Sequence, residues 1–125
     1  MWVRGSNKDL PKTVDVDELT IRETDWGDIH VSLITCHRKL DIAPLLKGLP
    51  DDLCQCPHWG YLVKGKALLR LADGEEIIIN GGDLYYCPPG HKLYALEDFE
   101  NIEFNPAAEA KMTLERFTAN IPADG

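Results

Sequence analysis

Glycine and proline interrupt this chain at intervals of about ten residues, which is the spacing of an all-β domain. The segments between them are too short for most helices and rich in Val, Ile, Leu and Tyr. "IHVSLITCHRKL" (29–40) reads as a strand, and "ELTIRET" (18–24) alternates as a first one. "GYLVKGKALLRLA" (60–72) reads as two strands broken at Gly65. Asp73-Gly74 supplies a hairpin turn, because glycine tolerates positive φ, and "EEIIIN" (75–80) follows as the next strand. "GGDLYYCPPGH" (81–91) is a turn, a short strand and a Pro-Pro-Gly turn; "KLYAL" and "NIEF" are two more short strands. "DIAPLLKGLPDD" (41–52) is a loop with one helical turn after Pro44. Only "PAAEAKMTLERFTAN" (106–120) suggests helix, and its "MTLERFT" reads equally well as a strand. Many short strands with tight turns imply a sandwich or a small barrel.

At 125 residues the chain fits one domain, and 44% hydrophobic residues suffice for a core without disulfide staples. Its net charge of -8 argues against nucleic acid and anionic membrane surfaces as partners. No apolar run has the length of a membrane span, and the first residues lack a signal-peptide pattern, so the cytoplasm is the expected compartment. There Cys36, Cys54, Cys56 and Cys87 are expected as reduced thiols. "CQCPHWGY" (54–61) places two thiols and an imidazole at every second position. In an extended strand Cys54, Cys56 and His58 share a face, although Pro57 fits only at an edge or a bulge.

The stretch "HWGYLVKGKALLRLADGEEIIINGGDLYYCPPGH" resembles the cupins, small double-stranded β-helix or jelly-roll barrels. Gly82, "DLYYC" and Pro88-Pro89-Gly90 match that family's glycine, five residues, Pro-x-Gly pattern. Gly65 matches the glycine that ends its first motif. The "CPHWGY" and "PPGH" runs resemble a subset of unknown function. The resemblance implies one cupin domain over 1–125, with an N-terminal arm and first strand in 1–28 and the barrel in 29–118.

The family's usual three histidines and one glutamate do not carry over. The glutamate position falls on His58, Cys54 and Cys56 are the nearest substitutes for a His-x-His pair, and the late histidine falls on Leu93. His91 stands two positions earlier, on the same strand face. A barrel would bring His91 across from His58. Two thiolates and two imidazoles suit zinc, with iron, nickel or manganese as alternatives. Iron would want a carboxylate, for which Asp51, Asp52 and Glu97 are candidates that the spacing does not separate. The expected metal set is His58, Cys56, Cys54 and His91, with Tyr85, Tyr86, Leu62, Leu93 and Glu97 lining the cavity. The competing expectation makes Cys54 and Cys56 small buried hydrophobes and His58 a hydrogen-bonded core histidine. Cys87 is expected to pack; His30 and His37 are expected to be cavity residues at most. The acidic pairs 51–52 and 75–76 read as solvated turns.

Trp59, Tyr61 and Val63 alternate with His58, Gly60 and Leu62, so both faces of this strand are apolar. A sheet with one wet face should alternate polar and apolar residues. The N-terminal segment or a partner subunit is expected to cover the second face, unless Trp59 belongs to the chain's own core. The resemblance implies a homodimer. No Ser-His-Asp order, phosphate-cradling loop or Cys-His nucleophile pattern is recognisable. Two functions stand open: a metal-dependent enzyme acting on a small polar molecule (isomerase, lyase, hydrolase or dioxygenase type), or a non-enzymatic small-ligand sensor with a structural metal or none. Four protein ligands would favour the second; three ligands beside a polar cavity would favour the first.

Overall fold

The computed structural model describes residues 9–37, 40, 41 and 43–121. Among the described residues, ten strands pair antiparallel into two sheets. Numbered in chain order, they are β1 (Lys12–Val16), β2 (Leu19–Trp26), β3 (Ile29–Cys36), β4 (Leu40–Asp41), β5 (His58–Lys64), β6 (Lys66–Leu71), β7 (Glu76–Asn80), β8 (Leu84–Cys87), β9 (His91–Ala95) and β10 (Phe99–Pro106). One sheet has the order β1-β2-β3-β10-β5-β8 and the other β4-β9-β6-β7. Residues 12–26 form two strands of the larger sheet, β1 and β2. The loop before β5 carries two 3₁₀ turns, Ala43–Leu46 and Pro50–Asp52.

The sheets enclose a core in which Ile21, Leu62, Leu69, Ile79, Cys87 and Phe99 meet. Gly65 turns the chain from β5 into β6 at φ +99; a Cβ there would lie 2.2 Å from the carbonyl oxygen of Asp98. Only glycine fits such a left-handed, crowded position. Helix α1 (Ala107–Ala119) leaves the end of β10 and crosses one mouth of the barrel. Its Ala110 and Phe117 pack on Leu46, Leu49, Cys54 and Cys56. Asn120, at its C-terminus, donates from Nδ2 to the carbonyls of Leu45 (2.9 Å) and Lys47 (2.8 Å). These bonds tie helix and loop into one cap. The segment "MTLERFT" is helical throughout.

The larger sheet has an inverted polarity. Along β10, Phe99, Asn101, Glu103 and Asn105 are buried, while Phe104 is exposed. Two apolar rows cross the outer face: Val31, Phe104, Trp59 and Tyr86, then Leu33, Ile102, Tyr61 and Leu84. Trp59 is 51% exposed and Leu84 82%. Trp59 is thus a surface residue rather than part of the chain's own core. Residues 1–8, one candidate to cover this face, lie outside those described. On the inner face a polar row runs from Glu23 through Ser32 and Glu103 to Gly60 and Tyr85.

Candidate metal centre

Beneath the cap lies a cavity of about 100 Å³. Three side chains converge there: one donor atom each from Cys54, His58 and His91, all within 4.8 Å of one another. Cys54 lies in no regular strand, but an isolated bridge pairs it with His91 (Cys54 N to His91 O, 2.8 Å). That bridge registers the loop before β5 against the start of β9. His58 opens β5 immediately after Pro57, so the proline sits just outside the sheet, where its missing N–H costs no ladder bond.

Each imidazole is held by the nitrogen that faces away from the cluster. His91 donates from Nδ1 to the carbonyl of Pro88 at 2.6 Å. His58 donates from Nδ1 to Oδ1 of Asn105 at 2.6 Å, with Oε1 of Glu103 at 3.5 Å. A hydrogen bond at Nδ1 fixes the tautomer and leaves Nε2 for a metal. The two rings meet edge to face, with centroids 4.8 Å apart, and His58 Nε2 is 3.5 Å from Cys54 Sγ.

Burial opposes ionisation of Cys54, but hydrogen bonds and charge from His58 and His91 outweigh it and lower the thiol to about 6. Burial likewise opposes protonation of His58, and the charges of Glu103 and Cys54, with thiol hydrogen bonds, raise its pKa well above the usual value. Both directions favour the ion-paired form, a thiolate with an imidazolium. Cys56 behaves differently. Burial raises its pKa, its thiol approaches the Pro57 carbonyl at 3.4 Å, and it is 1% exposed. It lines the same cavity but is not one of the three converging donors. The structure thus brings together three of the four residues expected as ligands.

The expected cavity-lining residues divide. Leu93 lines the cavity. Tyr85 points inward, its hydroxyl 2.7 Å from Oδ1 of Asn101 and 3.0 Å from Oε2 of Glu103, which compete for its single proton; burial and the Glu103 charge raise its pKa. Leu62 is sealed in the core between the sheets. Tyr86 lies on the outer face against Trp59, ring centroids 5.3 Å apart, because β8 alternates and Tyr85 takes the inner position. Glu97 is exposed near Lys66. Asp51 and Asp52 are exposed turn residues with φ of 56 and 55. The carboxylate beside the cluster is Glu103, which none of these anticipated. Cys87 packs in the core, and burial raises its pKa. Burial and Asp98 push Cys36 up to about 12. His37 is exposed, 3.0 Å from the Thr20 hydroxyl.

Sequence reasoning also missed the polar floor of the cavity: Glu23, Ser32, Asn101, Glu103 and Asn105. Its signal was the strict alternation of "FENIEFNP" read with polar residues inward. His30 joins this floor. It is buried, with Nε2 2.7 Å from Glu23 Oε1 and Nδ1 2.7 Å from Asp25 Oδ1. Burial opposes its protonation, yet the two carboxylates raise its pKa.

No family model and no curated protein matches the sequence. Solved structures do match the fold. An RmlC-like cupin from Shewanella frigidimarina superposes with a TM-score of 0.64 at 14% identity, covering 89% of this chain and 96% of that one. The polyketide cyclase RemF from Streptomyces resistomycificus gives 0.62 at 14% identity, covering 86% and 80%. HppE in its iron(II) form gives 0.55 at 13% identity, covering 83% and 60%. The chain has the cupin fold, an all-β jelly roll, and it carries a three-residue cluster able to hold a metal ion at one mouth of the barrel.

Proposed function

We propose that the protein holds one divalent metal through Cys54 Sγ, His58 Nε2 and His91 Nε2, and that it is an enzyme acting on a small polar molecule. The carrying observation is the count and placement of donors: three converge, and they face a cavity floored with polar side chains. Three protein ligands with a fourth position facing a cavity is the pattern of a catalytic zinc, whereas a structural site is closed by four. One thiolate and two imidazoles favour zinc; iron, nickel or manganese are the alternatives. When bound, such a metal supplies Lewis acidity or a water activated near neutral pH. Asn105 and the Pro88 carbonyl orient the imidazoles, and Glu103 faces His58 from behind. This donor set suits isomerase, lyase or hydrolytic chemistry. Dioxygenase chemistry would call for iron, the metal in the HppE comparison structure.

The protein is also proposed to be a cytoplasmic homodimer. Supporting the dimer, Trp59, Tyr61, Leu84, Tyr86 and Phe104 form one exposed apolar surface on the outer sheet face. Exposed patches of this kind mark interaction sites.

Elemental analysis of protein purified without added metal or chelator tests the metal centre. About one metal per chain is expected, lost in Cys54→Ser and His58→Ala and retained in Cys56→Ser. Full metal content in His58→Ala would refute the assignment.

A further inference from the structure

The proposed metal occupies only one side of the cavity. Across the floor from His58, three strands away in the larger sheet, stands Glu23, buried on β2. Glu23 and Glu103 flank Ser32 in the same cross-strand row, so their backbones are about 10 Å apart at the usual strand spacing.

The two carboxylates differ in what remains free. Glu103 Oε2 is approached by the Tyr85 hydroxyl (3.0 Å) and by Asn101 Nδ2 (3.2 Å), and its Oε1 faces His58. Glu23 takes His30 at Oε1 and the Thr13 hydroxyl at Oε2. A carboxylate has about four acceptor positions, so Glu23, which lines the cavity, retains acceptor capacity beyond these two bonds. The lining also includes the hydroxyls of Ser32 and Thr113 and, among the described residues, no Lys or Arg. A buried carboxylate at this place in the lining selects for hydrogen-bond donors.

We propose that Glu23 is a ligand-binding residue, positioned by His30 and Thr13, that accepts a hydrogen bond from a hydroxyl or ammonium group of a small bifunctional substrate. The other end of that substrate carries an oxygen that coordinates the metal. This inference rests on the metal reading above and names the class of molecule that site takes: a short hydroxylated or aminated acid or carbonyl compound, rather than a hydrocarbon acid.

Calorimetric titration of the zinc-loaded full chain tests it, with 3-hydroxypropionate against butyrate and 4-hydroxybutyrate against pentanoate. Each pair exchanges a terminal hydroxyl for a methyl. At least one hydroxy acid is expected to bind about tenfold more tightly than its methyl counterpart, the value of one hydrogen bond to a buried charge. Glu23→Gln keeps the shape and an oxygen for His30, and is expected to cut that advantage below about threefold at unchanged zinc content. Equal affinities within both pairs overturn the proposal. So does an advantage that survives in Glu23→Gln, or failure of all four acids to bind. Zinc content, measured first, separates the two readings. If the protein takes up no zinc, the metal reading fails, and the neutral pair 1,4-butanediol and 1-pentanol tests the Glu23 subsite alone, where equal binding or none overturns it.

Discussion

Replacing Gly60 with alanine probes how tightly the polar floor is built. An added Cβ would lie 2.2 Å from Cζ, 2.4 Å from the hydroxyl and 2.6 Å from Cε2 of Tyr85. All three belong to one rigid ring, so the whole side chain must shift. Tyr85 has little room, because its hydroxyl is bonded to Asn101 and Glu103. Overpacking of this kind costs about 1–3 kcal/mol. Weakening a hydrogen bond to a buried carboxylate adds about 1–3 kcal/mol. Because part of the strain relaxes, Gly60→Ala is expected to lose about 2–4 kcal/mol, a large share of a typical domain's stability. Urea unfolding of the metal-free protein measures it. The double-mutant cycle with Tyr85→Ala is the sharper assay. Tyr85→Ala should cost about 3 kcal/mol alone, and adding Gly60→Ala should then cost under about 0.5 kcal/mol, because the clashing ring is gone. A Gly60→Ala cost below about 0.5 kcal/mol, or full additivity in the double variant, would refute the packing described here.

Asn105→Ala removes the acceptor that sets the His58 tautomer and is expected to weaken zinc binding about 10- to 100-fold with the cysteines intact, as read by chelator competition; unchanged affinity would remove Asn105 from that role. In the metal-free protein the Cys54 thiolate should appear near pH 6, read by thiolate absorbance; a first thiolate only near the ordinary value of about 8.5 would contradict the His58 and His91 contacts. The linkage signs follow. Cys54 is depressed on folding, so its contribution to metal-free stability is complete above its unfolded value and lost as pH falls through about 6. His58 is raised, so its contribution is complete below about 6.5 and lost as pH rises through its folded value. Trp59→Glu, at the centre of the outer apolar rows, is expected to shift the protein from dimer to monomer in light scattering without loss of metal; a monomeric parent protein would refute the dimer.

Much of the strand order was legible because turns are written in single residues: Gly65, Asp73-Gly74 and Pro88-Pro89-Gly90 each fall between strands in the structure. Cys54 and His58 were legible as a group because two-residue spacing places strand side chains on one face, and His91 joined them through the barrel that the family resemblance implied. Cys56 shares that spacing but not that outcome. The segment around Pro57 is not a regular strand, so counting by twos stops applying there. The inner floor was hidden for a different reason. Alternation in β10 gives two faces but does not say which is inside, and burial statistics favour Ile102 and Phe104 over Asn101, Glu103 and Asn105. The preference is reversed because the inner face carries the polar network and the outer face exposes its aromatics. Helix α1 also resisted assignment in part: of its residues only Ala110 is buried, and a face that narrow leaves a faint period.

The inverted alternation of β10 ties the fate of the site to that of the barrel. Were β10 to slip by one residue against β3 and β5, Ile102 and Phe104 would turn inward, and His58 would lose both Asn105 and Glu103 at once. An oily interior would fill the space where the polar floor now lies. Such a molecule could still close as a barrel with a conventional wet exterior, yet it would have nothing to steady the imidazole. Mispairing at this one strand would therefore leave a folded but chemically silent protein, and spectroscopy of the metal would detect the error before any loss of secondary structure did.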